Sequence, residues 1–164
     1  MHVHSVGDPQ RPDVGVAGGE WSMSWTARDG VGLLGHGIPK SDFWASAKEG
    51  IDQVGFVYTA QGFEFDDVGV IVGLDLVYRP MDGGWVGQGD ESHDRVVRSG
   101  VTAAEFTRYV KGTYRVLLTR GLRDCYVYFM GAPTHDFVLN RTEPDSLRMV
   151  RAADQAVGYG ESDA

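Results

Sequence analysis

The sequence has one cysteine, no apolar run as long as ten residues, and 15 basic against 23 acidic side chains in 164 residues. The lone Cys125 excludes an intramolecular disulfide and, inside C-Y-V-Y-F-M, reads as a small buried hydrophobe. Runs this short are far from the roughly 20 apolar residues a membrane-spanning helix needs. The start M-H-V-H-S-V-G-D-P has neither the basic residues nor the apolar stretch of a signal peptide, so no membrane association and a cytoplasmic location are expected. A net charge of −8 argues against a free-standing nucleic-acid binder, because affinity for phosphate backbones comes largely from Lys and Arg.

Motifs for several chemistries are missing too. The five histidines, His2, His4, His36, His93 and His135, lack H-x-x-x-H spacing and no C-x-x-C exists, so no metal site is expected. Ser92-His93-Asp94 has triad letters, but adjacent side chains do not converge, and there is no G-x-S-x-G elbow. G-L-L-G-H-G-I-P-K-S, residues 32–41, invites a phosphate-loop reading. A Walker A loop needs its lysine directly after the last glycine, whereas Ile38 and Pro39 separate Gly37 from Lys40, and Pro39 has no N–H to donate.

What is present centres on residues 54–73, V-G-F-V-Y-T-A-Q-G-F-E-F-D-D-V-G-V-I-V-G. Two short runs rich in Val, Ile and aromatics, residues 54–58 and 68–72, read as buried strands around a polar turn. In that turn Gly62 lets the backbone come close to a ligand, and Glu64 can accept hydrogen bonds from hydroxyls.

Thr102-Ala-Ala-Glu105 is a capping-box pattern that predicts a helix to about Thr119. Phe106, Val110, Tyr114 and Leu117 form one stripe of it, while Arg108, Lys111 and Arg115 form another. Gly121 fits a C-cap, residues 125–130 a third buried strand, and Pro133-Thr134 the opening of a short helix. Ser41-Asp42 fits the start of another helix, through Ala47, and residues 75–89 a solvent-side excursion or loose hairpin. Trp21 and Trp25 suit either one helical face or a strand packed on a neighbour.

The order strand, turn, strand, helix, strand is that of the second half of a RecA-like α/β domain, with a mostly parallel sheet flanked by helices. The expected organisation is an irregular or partly disordered segment over residues 1–30, the α/β domain over 31–141 and an acidic polar tail over 142–164. Charge is uneven along it: residues 93–125 carry seven basic and three acidic side chains, against 5 and 14 in residues 1–92. The basic block surrounds T-Y-R-V-L-L-T-R-G, residues 113–121, as a phosphate-facing surface would.

Residues 54–73 and 113–121 together resemble motifs V and VI of superfamily 1 helicases, in the form of the Schlafen group 3-like DNA/RNA helicase domain family. The resemblance runs from about Ile51 to Met130 and includes D-L-V-Y-R-P, G-W-V and S-H-D-R-V-V-R. It implies a second helicase domain of the P-loop NTPase superfamily, which closes over ATP and Mg²⁺ held by a first domain. Gln61, Gly62 and Glu64 would then border the nucleotide, Gly62 near the γ-phosphate and Glu64 at the ribose. Arg120 would be the catalytic arginine finger. Tyr58 and Thr59 would face single-stranded DNA or RNA, with Arg108, Lys111 and Arg115 as further nucleic-acid contacts. Against this stand blander readings. Gly62 makes a tight turn, Glu64 is a solvated carboxylate, and Arg120 pairs with Asp124 or caps the helix end. With no Walker A lysine ahead of residue 54, the chain looks like a C-terminal helicase portion that depends on a Walker A-containing domain from elsewhere. Failing that, it is a non-catalytic interaction module or a remnant.

Overall fold

The Thr102/Glu105 box does build the longest helix among the described residues. In the computed structural model, which describes residues 14–16, 19–26 and 38–142, Thr102 N–H donates to a Glu105 carboxylate oxygen at 2.9 Å and Glu105 N–H donates to Thr102 Oγ1 at 3.3 Å. These bonds satisfy donors that a helix start leaves unpaired, and α3 follows over Ala103–Leu118. Phe106, Val110 and Tyr114 are buried, as their spacing of four predicts. Gly121 is not the C-cap. It does not adopt a left-handed conformation and is the first residue of a strand. Arg120 closes the helix instead, its backbone N–H donating to the Leu117 carbonyl at 3.2 Å and its Nε–H to the Val116 carbonyl at 3.1 Å.

The remaining elements are β1 (Val14–Val16), β2 (Trp21–Trp25), β3 (Gln53–Val54), α1 (Val57–Ala60), β4 (Phe65–Val72), β5 (Leu76–Arg79), β6 (Gly84–Gly87), α2 (Arg95–Arg98), β7 (Gly121–Phe129) and α4 (Ala132–Leu139). The chain divides into two compact units, residues 1–66 with 112–122 and residues 67–111 with 123–164. Continuous chain runs from one to the other within β4, α3 and β7.

In the first unit β1 pairs antiparallel with β2, and β2 pairs parallel with β3. The irregular reading of residues 1–30 is therefore amended where they are described, and Trp21 and Trp25 belong to a strand. The expected helix over residues 41–47 is two 3₁₀ turns, Ser41–Phe43 and Lys48–Asp52. The larger correction concerns residues 54–58, where only Val54 is in a strand and Val57–Ala60 turns into α1. The cause is tertiary. Trp44 donates its indole N–H to the Gln53 carbonyl at 3.0 Å and packs so tightly on Gly55 that a Cβ there would lie 2.6 Å from the ring. An apolar run alone does not reveal such a contact.

In the second unit β5 and β6 form an antiparallel hairpin from Leu76↔Gly87 to Arg79↔Gly84. Its corner is the 3₁₀ turn Pro80–Asp82 followed by Gly83 at φ 85° and Gly84 at φ 124°, conformations that favour glycine. Val70, Val72, Leu76, Phe106, Val110 and Val127 are its buried apolar residues among those described. Tyr78 stacks on Phe137 of α4 with ring centroids 3.3 Å apart, and Trp85 meets both rings edge-on.

β4 and β7 pair in a two-stranded sheet. Phe65 N–H donates to the Arg120 carbonyl at 2.9 Å and Met130 N–H to the Val72 carbonyl at 3.0 Å, so the starts of the strands lie together, as do their ends, and the pair is parallel. The protein is thus mixed α/β, and among the described residues three small sheets of both senses stand in place of one mostly parallel sheet. The glycine run of residues 32–37 and the tail from residue 143 lie outside the described residues.

Candidate nucleotide and nucleic-acid site

Residues 56–64 are shaped first by Thr59. Its hydroxyl accepts from Phe56 N–H at 3.0 Å and donates to the Phe56 carbonyl at 2.8 Å, which is the back-reaching half of a capping box. Thr59 is buried while its neighbour Tyr58 is 53% exposed, so one hydroxyl anchors the turn that presents the aromatic ring. Gln61 N–H donates to the Val57 carbonyl and ends α1. Gly62 then takes φ 89°, with nothing within 4 Å of where a Cβ would stand. The positive φ explains the glycine as a turn residue, and the open space leaves its backbone approachable. Glu64 is exposed beside it.

Arg120 comes to this turn from the end of α3. Its Nη1 donates to the Phe63 carbonyl at 3.3 Å and its Nη2 reaches Thr119 Oγ1 at 3.4 Å, in addition to the Nε bond to Val116. The pairing with Asp124 considered from the sequence does not form. Capping of the helix end does, and three of the five guanidinium N–H donors serve these contacts. Two segments more than fifty residues apart, each matching one helicase-like motif, therefore meet through a side-chain bond and through the Phe65–Arg120 backbone bond.

Arg108, Lys111 and Arg115 are exposed on α3 at spacings of three and four. The Arg108 guanidinium lies 5.1 Å from the centroid of the Tyr109 ring, itself 42% exposed. Asp67, which sits after the turn, forms an ion pair with Arg123 at 3.2 Å. Both are exposed, and such pairs are worth about 0 to 1 kcal/mol.

Sequence reasoning did not anticipate a cleft in front of α1. It is about 270 Å³ and is lined by Ser41, Asp42, Phe56, Tyr58, Thr59 and Phe63. Phe56 and Tyr58 meet edge-on at 6.1 Å, and Phe63 is 39% exposed. The signal was available in part, since aromatics at residues 56, 58 and 63 surround the turn. Asp42 enters only through the packing of the 3₁₀ turn Ser41–Phe43 on α1. Among the described residues no group of three or more His, Cys, Asp or Glu side chains could hold a metal ion, and no helix is long and apolar enough to cross a membrane.

A mixed α/β domain that joins these two segments at one turn fits the helicase-like class. Comparison with known families makes the assignment: the chain belongs to the Schlafen group 3, DNA/RNA helicase domain family, whose model matches residues 4–131. It is also 33% identical over 90 residues to the uncharacterized protein YPL245W of Saccharomyces cerevisiae (strain ATCC 204508 / S288c), an alignment covering 52% of this chain and 20% of that protein. The chain thus spans about a fifth of that relative's length. No solved structure matches.

Proposed function

We propose that this chain supplies the closing half of a nucleotide site in an ATP-dependent DNA or RNA helicase, in the manner of a RecA-like second domain. The observation that carries the reading is the Arg120 guanidinium held against the 61–64 turn by its bond to the Phe63 carbonyl. A cation with two N–H groups uncommitted, an approachable glycine backbone and an exposed carboxylate fit the phosphates and ribose of a nucleotide from one side. In this reading Gly62 and Arg120 lie toward the phosphates, and Gln61 and Glu64 toward the sugar and its surroundings. Bound ATP with Mg²⁺ would supply the phosphoryl group for hydrolysis. In this reading the P-loop lysine and the Mg²⁺ ligands come from a Walker A-containing domain or chain.

The chain's own part is to position. Arg120 brings fixed positive charge to where an arginine finger acts, a contribution worth about 10³ to 10⁵ in rate in systems where phosphate and Mg²⁺ are already held. Tyr58 offers a ring face to an unpaired base, worth about 1 to 3 kcal/mol. Arg108, Lys111 and Arg115 offer charge to nucleic-acid phosphates.

Calorimetry of the purified chain with a non-hydrolysable ATP analogue and Mg²⁺, with and without a single-stranded oligonucleotide, tests this. Weak binding is expected, lost in Arg120→Ala and in Glu64→Ala. The second variant changes an exposed side chain and spares the helix cap. Absence of nucleotide binding in a well-folded sample, or binding that neither substitution alters, counts against the reading. Salt-sensitive oligonucleotide binding that survives in that sample supports a non-catalytic nucleic-acid module instead, a role the exposed Tyr58 ring would also serve.

A further inference from the structure

The cleft in front of α1 combines Tyr58 with features that the reading above does not use. Three aromatic side chains line it, Phe56, Tyr58 and Phe63, and two of them are exposed well beyond what core packing needs. A carboxylate, Asp42, lines the same cleft from the 3₁₀ turn Ser41–Phe43. Aromatic walls take a flat ring, and a carboxylate is an acceptor at both oxygens.

Unpaired bases expose their Watson–Crick edges, and those edges differ. Guanine presents two adjacent donors, N1–H and the N2 amine, which match the two oxygens of one carboxylate. Adenine presents a donor beside an acceptor, cytosine a donor beside two acceptors, and thymine or uracil a donor between two acceptors. Only guanine meets Asp42 without setting an acceptor against its negative charge. Ionised partners also make such bonds shorter and stronger than neutral ones.

We propose that this cleft is a base-reading pocket selective for guanine in single-stranded nucleic acid, with Tyr58 stacking on the base and Asp42 accepting from its N1–H and N2 amine. The inference rests on the reading above that Tyr58 faces a nucleic-acid strand, and it adds to that reading a preference among bases. Thr59 supports the pocket by fixing the turn and makes no base contact of its own.

The test is fluorescence anisotropy of the 164-residue chain with labelled six-nucleotide DNA strands of thymine, in which one central base is replaced by guanine, hypoxanthine, adenine or cytosine. The guanine strand is expected to bind about tenfold more tightly than the all-thymine strand, the usual scale for one good bidentate pair. Hypoxanthine, which lacks the N2 amine, falls between. Asp42→Asn abolishes the guanine preference, because the amide offers one acceptor and one donor, a pair that every base can meet on its Watson–Crick edge. Tyr58→Ala weakens every strand by a similar factor. Binding with no base preference, or a guanine preference unchanged in Asp42→Asn, overturns the inference and leaves the nucleic-acid reading standing. Failure to bind any strand overturns both.

Discussion

Replacing Thr59 by valine would separate a scaffold role from a contact role at the turn that the helicase-like reading depends on. The side chains are nearly the same size, and Thr59 is only 8% exposed, so the change removes a hydroxyl without opening a cavity. The Phe56 carbonyl remains satisfied, since it also accepts from Thr59 N–H at 2.9 Å and Ala60 N–H at 3.1 Å. The Phe56 N–H does not, because Thr59 Oγ1 at 3.0 Å is its partner. Losing a net hydrogen bond costs about 1 kcal/mol, and stranding a partly buried donor adds to that, so about 2 kcal/mol in all is expected. For a chain of this length that lowers the melting temperature by about 4 to 8 °C. Thr59→Ser keeps the hydroxyl and should recover most of the loss. Thermal unfolding followed by circular dichroism measures both variants. A valine variant as stable as the parent, or a serine variant as unstable as the valine one, would refute the assignment of Thr59 as the anchor of α1.

Gly87→Ala should destabilise by about 1 to 3 kcal/mol, the usual cost of overpacking, because its Cβ would lie 2.8 Å from both Phe106 Cδ1 and Thr107 Cα; an unchanged urea midpoint would show that α3 yields there. The Glu105 carboxyl is held below its ordinary value of 4.5, first by the Thr102 N–H, then by the Thr102 hydroxyl, with Arg108 assisting and burial opposing. A depressed folded-state value means that this stabilisation is fully present above about pH 4.5 and is lost as pH falls through the folded value. The parent should therefore lose more stability than Glu105→Gln between about pH 6 and pH 3, and parallel acid profiles would contradict the cap. Burial pushes the Cys125 thiol up from 9.0, and since the thiolate is the reactive form, iodoacetamide should modify the folded chain more slowly than the urea-unfolded one; equal rates would argue against that environment.

How far the sequence could be read depended on the range of the interactions. The Thr102/Glu105 box and the 106–110–114 stripe are local, and α3 ends within one residue of where they place it. α4 and the second half of β7 were visible for the same reason, as a proline-opened turn and an apolar run, whereas the start of β7 at Gly121 was taken for the helix C-cap. Residues 54–58 were misread chiefly because the Trp44 ring on Gly55 depends on three-dimensional approach; the Thr59 hydroxyl on Phe56 is a local contact over three residues, and the apolar run outweighed it in the reading. The stack of Tyr78, Trp85 and Phe137 joins residues from β5, β6 and α4 and has no signature at any one of them. The mostly parallel sheet was not met among the described residues because residues 54–58 give only Val54 to a strand, while β1–β2 and β5–β6 each pair antiparallel. At the candidate site the turn and the arginine could be named separately, whereas their meeting, and the presence of Asp42 in the cleft, required the fold.

That meeting bears on how the proposed site role of Arg120 would combine with its structural one. A long flexible side chain gives up about 2 kcal/mol of rotamer freedom when it is fixed. Here the bonds to Val116, Thr119 and Phe63 restrict the guanidinium before any ligand arrives, and an anion would meet a cation whose ordering is partly done. The planar fork matters for this, because Nε and Nη1 reach carbonyls on two different segments at once and still leave N–H groups on the outer edge. A lysine at residue 120 would keep the charge as a single point and could not hold both carbonyls in that plane. Capping the helix and serving as a phosphate-facing group are therefore compatible uses of one side chain, and the capping contacts are what would make the second use inexpensive in entropy.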